Sequence, residues 1–247
     1  MWVAAIQMDS PAGQNEANLR NVERLAREAA RRGAAVALFH EGLLVDYTEE
    51  PMAVAEEVPA GPSVASLCRI ARDSGIYLGV GMAEKEGGRL YIAHVFCGPE
   101  GYVAKYRKTW LWYAEKGTVD ASIRDEHRFY NPGDGPEPFL LGDMRATCLI
   151  CADGNSERAW QQVVETRPQI VFFPNNRHHF RHAWLDVLAR ARQIGVPLVA
   201  TNRVGRSGSG ICDGGAVIVS GDGAILAHSL RPGEEEIVMA EVPLPTP

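Results

Sequence analysis

Short apolar runs alternate with longer amphipathic stretches through the first part of the chain. Residues Trp2–Gln7 form an apolar run of the length typical of a buried strand. Apolar side chains then recur at helical spacing from about Asn15 to Arg32, and Gly33 follows where a helix commonly ends. A second apolar run, Ala35–His40, comes next. This order predicts a β–α–β unit in which the two strands are parallel.

The alternation continues to the end of the chain. Two apolar runs, Leu90–Cys97 and Tyr102–Tyr106, flank the turn 98–101 and predict a hairpin. The other predicted strands are Ile76–Met82, Arg145–Cys151, Gln169–Pro174, Pro197–Asn202, Ala216–Ser220, Ala224–His228 and Glu236–Val242, and the other predicted helices are Ser63–Asp73 and, approximately, Ser156–Thr166 and Phe180–Ile194. The stretch from about Thr109 to Pro138 lacks periodicity, and loops that long are usually functional. The pattern predicts a single mixed α/β layered domain over residues 1–247 and leaves its topology open.

The balance of charge narrows the classes of partner. The 247 residues include 25 Lys and Arg against 31 Asp and Glu, which gives a formal net charge of −6. A surface that binds nucleic acid or an anionic membrane would need a basic patch, so the sequence predicts neither partner.

The start of the chain and its cysteines favour a cytoplasmic location. The chain enters a strand-like run at once, without a basic segment, and no apolar stretch approaches the roughly 18 residues of a membrane span. The five cysteines are an odd number without the regular spacing of a disulfide scaffold. We therefore expect a reducing compartment.

Cys151 is the first candidate for chemistry. It ends a predicted strand shortly before a predicted helix, for which Asn155 or Ser156 is a suitable N-cap. The positive potential at a helix N-terminus favours the thiolate form of a cysteine. Cysteine is also a common small core residue, so the position alone leaves both interpretations open.

Cys148 and Cys151 together form a Cys-x-x-Cys sequence, which is compatible with a redox or zinc site. On a strand, however, residues three apart point to opposite faces. No second Cys pair or His pair at the usual spacing supplies further zinc ligands. We therefore expect Cys148 to be a core residue.

Three charged residues are further candidates. Glu41 follows a predicted strand, and the carboxyl ends of strands are where α/β folds place their sites. Lys108 also follows a strand, whereas Glu126 lies in a charged run. Taken singly, each is more typical of a solvated surface. His178, His179 and His182 form a cluster that suggests a metal site, but a polar helix start is the favoured interpretation.

Taken together and in order, these residues resemble the nitrilase (carbon–nitrogen hydrolase) superfamily over nearly the whole chain. The segment Gly33–Glu41 is similar to the stretch that ends in the family's glutamate, Gly98–Lys108 to the stretch that ends in Tyr-Arg-Lys, and Leu149–Asp153 to the stretch around its cysteine. The segments 126–133 and 189–205 also match. Each segment alone is weak evidence, whereas five in the same order and spacing are specific.

The resemblance implies a fold, a set of catalytic residues and a chemistry. It implies an α-β-β-α sandwich, often assembled as a homodimer or higher homo-oligomer, and it requires neither a metal nor an organic cofactor. Glu41 would be the general base and Cys151 the nucleophile. Lys108 and the backbone N–H of Ala152 would stabilise the oxyanion, and Glu126 would hold Lys108 charged and in place.

The residues around Cys151 favour an amide as the substrate. The segment Ile150–Asn155 resembles that of aliphatic amidases, whereas nitrilases usually carry Cys-Trp-Glu. We therefore expect hydrolysis of a small aliphatic or aromatic amide to a carboxylic acid and ammonia. The residues expected to bind this small-molecule substrate are Tyr47, Trp110, Trp112, Asn175 and Asn176.

Several alternatives stay open. An N-carbamoyl amide hydrolase, or an ω-amidase acting on a 2-oxo acid amide, would need a cationic anchor for a carboxylate, and Arg177 is the candidate. A nitrilase is a third possibility within the same superfamily. From other classes, a catalytically silent binding module and a thiol redox protein are disfavoured, the first because Glu41, Lys108 and Cys151 are all present.

Overall fold

The computed structural model of the chain describes residues 1–114, 124–208 and 210–244. The strands are β1 (Trp2–Gln7), β2 (Val36–Leu38), β3 (Tyr77–Glu86), β4 (Arg89–Gly98), β5 (Gly101–Arg107), β6 (Phe139–Leu141), β7 (Met144–Cys148), β8 (Ile170–Asn175), β9 (Leu198–Asn202), β10 (Val204–Ser207), β11 (Gly210–Asp213), β12 (Val217–Val219), β13 (Ile225–His228) and β14 (Glu236–Glu241). The α-helices of these residues are α1 (Asn15–Arg31), α2 (Pro51–Val54), α3 (Pro62–Ser74), α4 (Glu157–Glu165) and α5 (Trp184–Ile194).

Two six-stranded sheets carry the fold. The first has the order β14-β1-β2-β3-β4-β5, and the second has the order β13-β12-β9-β8-β7-β6. The central strands β1, β2 and β3 are parallel to one another, as are β7, β8 and β9. The predicted parallel pairing of the first two strands is confirmed. Strands β10 and β11 form a separate antiparallel ribbon.

The side chains of β1 alternate between the two faces of its sheet. One face packs against the other sheet, and the opposite face packs against helices. Val3 and Ala5 face the other sheet, where they pack with residues such as Ala200. Ala4 and Ile6 point the opposite way, towards the helices. A strand whose two faces are both buried needs apolar residues at every position, which is why the sequence shows a continuous run.

Helices cover the outer face of each sheet. The apolar stripes of α1 and α3 pack on the first sheet. On the second sheet, α4 buries Trp160, which lies edge-on to Phe173 with ring centroids 5.9 Å apart. Helix α5 buries Val187 and Ala191 there. The predicted α-β-β-α sandwich is therefore confirmed.

Several predicted strands and helices differ from the observed ones in where they begin or end. The predicted strand Arg145–Cys151 ends at Cys148, and a 3-10 helix begins at Cys151. The predicted helix at about Phe180–Ile194 is divided into a 3-10 helix, Phe180–Ala183, and α5. Strand β6, the β10–β11 ribbon and α2 were not predicted, because each is too short to show periodicity in the sequence.

The functional candidates lie beyond the carboxyl ends of strands from both sheets. Glu41 follows β2, Lys108 follows β5, Cys151 follows β7, and Asn176 follows β8. No helix in the described part of the chain is long and apolar enough to cross a membrane.

Candidate active site

A buried ammonium lies between two buried carboxylates. Lys108 Nζ donates hydrogen bonds to Glu41 Oε1 and Glu126 Oε1, each at 2.7 Å. None of the three residues is more than 3% exposed. Burial opposes a charge on Lys108, but Glu126 and Glu41 outweigh it and raise the pKa of Lys108 well above its usual value. The lysine is therefore a fixed cation.

Glu126 is surrounded by hydrogen-bond donors. Besides Lys108, its Oε1 accepts a hydrogen bond from the Tyr47 hydroxyl at 3.3 Å, and its Oε2 accepts one from Trp112 N at 2.7 Å. Burial raises the pKa of Glu126, and the charge of Lys108 opposes that rise. The contacts with Lys108 and Trp112 tie the segment after β5 to the 3-10 helix Glu126–Arg128.

Glu41 keeps one oxygen unpaired. Its Oε1 binds Lys108, but its Oε2 is buried and has no hydrogen-bond partner among the residues that the structure describes. The backbone N–H of Glu41 donates to Asn175 O at 3.4 Å, which links the two sheets. Glu41, Glu126, Tyr47 and Asn176 line one small chamber. An unpaired buried carboxylate oxygen is suited to accept a proton.

Cys151 occupies a strained turn. It is the first residue of the 3-10 helix Cys151–Asn155 and has φ +47°, a conformation that is unusual for a residue other than glycine. Its carbonyl oxygen accepts a hydrogen bond from Arg177 Nη2. This placement buries Cys151, which is only 6% exposed.

The surroundings of the Cys151 thiol favour its protonated form. Burial and the nearby Glu41 raise its pKa, whereas Arg177 and Lys108 oppose the rise. Desolvation and the carboxylate therefore act against the thiolate that the helix N-terminus is expected to favour. A protonated thiol needs a base before it can act as a nucleophile.

Asp153 fixes the Cys151 turn, a role that the sequence analysis did not assign. Its Oδ1 accepts hydrogen bonds from the backbone N–H groups of Thr109 and Trp110, at 3.1 and 2.7 Å. Its Oδ2 accepts from Ile150 N and the Tyr106 hydroxyl, both at 2.8 Å. Burial raises the pKa of Asp153 to about 6. An acid in the turn after an apolar strand is the sequence signal that could identify it.

A cavity of about 310 Å³ opens beside Cys151. Its lining includes Ala152 and three of the predicted substrate-binding residues, Tyr47, Trp112 and Asn176. No described residue accepts a hydrogen bond from the backbone N–H of Ala152. A larger cavity, of about 450 Å³, lies beside α4 and α5. It is lined by none of Cys151, Lys108, Glu41 and Glu126, so we place the candidate site in the smaller one.

Two predicted substrate-binding residues do not line this cavity, which corrects the sequence analysis. Trp110 donates its backbone N–H to Asp153, and its side chain packs against the core. Asn175 is fully buried, and its Nδ2 donates to Phe173 O at 2.7 Å. Both residues hold neighbouring backbone in place. Arg124, His178 and His179 also line the cavity, although the sequence did not indicate them as substrate-binding residues.

Within the described residues, the other cysteine and histidine candidates do not form a second centre. Cys148 and Cys151 are both free thiols, and Cys148 is fully buried with its Sγ 3.7 Å from Leu149 O. Because the strand ends at Cys148, the opposite-face argument does not apply to this pair. The described residues contain no group of three or more His, Cys, Asp or Glu placed to hold a metal ion. The side chain of His182 lies outside the described residues.

Known proteins resemble this chain over almost its full length. The family model described as carbon–nitrogen hydrolase matches residues 2–246. A nitrilase of Pyrococcus abyssi is 31% identical over 247 residues, which cover 98% of this chain and 89% of that protein. An omega-amidase of Xenopus tropicalis is 29% identical over 236 residues, which cover 92% and 83%. An amidase from Nesterenkonia sp. has a TM-score of 0.86 at 22% identity, covering 98% of this chain and 90% of that chain.

These comparisons agree with the layers described above. The solved amidase shares the fold, and the family match extends through the segments that carry Glu41, Lys108, Glu126 and Cys151. The chain therefore belongs to the carbon–nitrogen hydrolase family and is an enzyme of the nitrilase superfamily.

Proposed function

We propose that this protein is an amidase, which hydrolyses the C–N bond of an amide to a carboxylic acid and ammonia through a thioester on Cys151. The observation that carries the proposal is the unpaired Oε2 of Glu41, buried on a carboxylate whose other oxygen is held by Lys108. A carboxylate fixed at one oxygen and free at the other, next to a protonated thiol, is arranged for proton transfer.

The first half-reaction forms the thioester. Glu41 takes the proton of the Cys151 thiol, and the sulfur attacks the amide carbon. The third N–H of Lys108 and the backbone N–H of Ala152 stabilise the oxyanion of the tetrahedral intermediate, each donor contributing about 3–4 kcal/mol in comparable enzymes. The C–N bond then breaks, and Glu41 returns the proton to the leaving nitrogen, which departs as ammonia.

The second half-reaction releases the acid. Water loses a proton to Glu41 and attacks the thioester carbon, with the same oxyanion contacts. The C–S bond breaks, the carboxylic acid leaves, and the Cys151 sulfur regains the proton. Glu126 contributes by keeping Lys108 charged and by holding Trp112 at the cavity wall. No step requires a metal or an organic cofactor.

Nitrile hydrolysis is the second candidate, favoured by the relative of Pyrococcus abyssi that is called a nitrilase. The amide is preferred because the segment Ile150–Asn155 resembles that of aliphatic amidases, whereas nitrilases usually carry Cys-Trp-Glu, and because Asp153 is fully engaged in fixing the turn.

Ammonia release from a panel of substrates tests the proposal. The panel pairs short aliphatic, aromatic and carbamoyl amides with the matched nitriles, and Cys151→Ala is the control. We expect ammonia from amides with the wild type alone. Release from nitriles and not from amides would support the second candidate, and equal release by Cys151→Ala would remove the cysteine mechanism.

A further inference from the structure

Two cysteine thiols meet outside the catalytic centre. The Sγ of Cys68 donates a hydrogen bond to the Sγ of Cys97, and the two sulfur atoms are 3.2 Å apart. Cys68 lies on α3 and Cys97 lies on β4, 29 residues further along the chain. Both are free thiols. The fold therefore places a reduced pair of cysteines in direct sulfur–sulfur contact.

The packing of α3 on the first sheet holds the two thiols together. Helix α3 buries Val64, Leu67 and Ile70 against that sheet. Cys68 lies at the edge of this apolar stripe, four residues after Val64. The Cys97 side chain points from β4 into the same layer. Because both thiols belong to elements that are already packed, they meet at a high effective concentration and lose little freedom when a bond joins them.

The two thiols differ in their access to solvent. Cys68 is half-buried, whereas Cys97 is fully buried. Burial raises the pKa of Cys97, and the neighbouring Cys68 raises it further. Cys97 therefore stays protonated, and an oxidant that arrives from solvent reaches Cys68 first.

This pair is remote from the catalytic candidates. The backbone N–H of Lys108 donates to Ile92 O at 2.8 Å, near the start of β4. Cys97 comes five residues later on the same strand, at the hairpin end, where it pairs with Tyr102. Since a strand advances about 3.3 Å per residue, Cys97 lies about 16 Å from Ile92. A change at this pair is therefore separable from a change at Cys151.

We propose that Cys68 and Cys97 are an oxidative modification site, at which a hydroperoxide converts the two thiols into a disulfide that joins α3 to β4. The bond would close a loop that contains β3 and most of β4. Closing a loop restricts the unfolded chain, and the contact already present lets the folded chain accept the bond with little rearrangement. The cross-linked enzyme is then more resistant to unfolding.

The oxidation takes two steps. The Cys68 sulfur attacks one oxygen of hydrogen peroxide, the O–O bond breaks, and the products are a sulfenic acid on Cys68 and one water, which carries the thiol proton. The Cys97 sulfur then attacks the Cys68 sulfur, the S–O bond breaks, and the hydroxyl leaves as water with the proton of Cys97. Together the thiols lose two electrons and two protons, which reduce one peroxide to two waters.

Peptide mapping after peroxide treatment tests the proposal. The protein used is Cys151→Ala, which removes the proposed nucleophile as a competing site of oxidation. We expect its mass to fall by two hydrogens and the tryptic peptides 33–69 and 90–105 to be joined. The two remaining cysteines should be alkylated after denaturation, and dithiothreitol should separate the joined peptides. Cys68→Ser in the same background is the matched control and should give no joined peptides.

Thermal unfolding of the same samples measures the effect of the bond. We expect the Tm of the peroxide-treated protein to rise by about 5 to 15 °C, the range for a cross-link of this kind in a chain of this size. Dithiothreitol should reverse the rise, and the Cys68→Ser control should not show it. A joined pair of peptides without a rise in Tm would overturn the stabilising effect.

Three results would overturn the site itself. The first is retention of both thiols at a peroxide concentration that oxidises a cysteine peptide in the same solution. The second is sulfinic or sulfonic acid on Cys68 without a cross-link, and the third is a disulfide from Cys68 to another cysteine or another molecule. Because the cross-link is detected in the parent protein, misfolding of the Cys68→Ser control would not protect the proposal.

Discussion

Arg177 donates a hydrogen bond from Nη2 to the carbonyl oxygen of Cys151, the residue whose backbone has φ +47°. The contact joins the loop after β8 to the turn after β7, and it places a cation near the thiol. Because a strained backbone persists only where neighbours hold it, we expect Arg177 to position Cys151, the proposed nucleophile.

Arg177→Ala should therefore lower kcat for all amides alike. We expect a loss of about 10- to 100-fold, the range for removing a charge-assisted hydrogen bond. The measurement is kcat and KM for butanamide and for succinamate, which carries a carboxylate in place of the terminal methyl group, with the ratio between the two substrates as the decisive quantity. A loss confined to succinamate would instead make Arg177 the carboxylate anchor, as the sequence analysis considered.

Lys108 should contribute to stability as well as to rate. Lys108→Met would leave Glu41 and Glu126 buried without their common cation, and breaking a buried ion pair in this way costs about 3–5 kcal/mol. We expect urea unfolding to report that loss and ammonia release to stop. Lys85→Met, which removes a lysine from an exposed position, is the control. Wild-type activity in Lys108→Met would refute the role of this lysine.

Gly81 lies against the backbone that carries Glu41. A Cβ at Gly81 would be 2.4 Å from Gly42 N and 2.7 Å from His40 O. Backbone atoms cannot move aside as the end of a flexible side chain can, so Gly81→Ala should displace Glu41. We expect a stability loss of about 1–3 kcal/mol and a kcat loss of at least about tenfold.

Gly87→Ala is the comparison for Gly81→Ala. Gly87 has φ +57° and open space around it, so alanine there strains the backbone at a site remote from Glu41. Thermal unfolding and kcat are measured for both variants. If the two lose stability but keep the same kcat, the claim that Gly81 places Glu41 fails.

Two buried histidines predict a loss of stability in acid. Burial lowers the pKa of His40 and of His94 to about 3, below the value of about 6.5 for an unfolded histidine. Between these values the unfolded chain binds protons that the folded chain does not, so the free energy of unfolding falls as pH falls. Each histidine should contribute a slope of about 1.4 kcal/mol per pH unit between about pH 6 and pH 4.

Urea unfolding of wild type and His94→Phe between pH 7 and pH 4 measures that slope. We expect the slope of the variant to be smaller by about 1.4 kcal/mol per pH unit, whatever its absolute stability. His127→Phe changes an exposed histidine and serves as the control. Identical slopes in wild type and His94→Phe would contradict the burial of a neutral imidazole.

The sequence predicted the layers of the fold better than the edges of its elements. Strand β1 was predicted at its observed bounds because both faces are buried and the apolar run has clear ends. The strand before Cys151 was predicted three residues too long, because Leu149 and Ile150 stay buried after the chain leaves the sheet. Hydrophobicity reports burial and does not report where sheet pairing stops.

The site could be predicted only in part. Glu41 and Lys108 are 67 residues apart in the sequence, and Lys108 and Glu126 are 18 apart, so no local pattern predicts that they meet. Only the resemblance to the family predicted that these residues share one site. Trp110 and Asn175 were predicted to line the pocket because they lie close in sequence to its residues. The structure instead shows Trp110 N hydrogen-bonded to Asp153 and the Asn175 side chain hydrogen-bonded to Phe173 O. Arg124 lies within the aperiodic stretch from about Thr109 to Pro138, where its charge alone does not indicate whether the side chain faces solvent or the cavity.

The formation of an acyl-enzyme on Cys151 is the central claim of the mechanism, and intact-protein mass spectrometry of a rapidly quenched reaction measures it most directly. With butanamide, the wild type should show a mass increase equal to the acyl group, located by peptide mapping to Cys151 and discharged by hydroxylamine. Cys151→Ala should show neither the adduct nor ammonia release. Ammonia release by Cys151→Ala, or turnover with the adduct on another residue, would contradict the account.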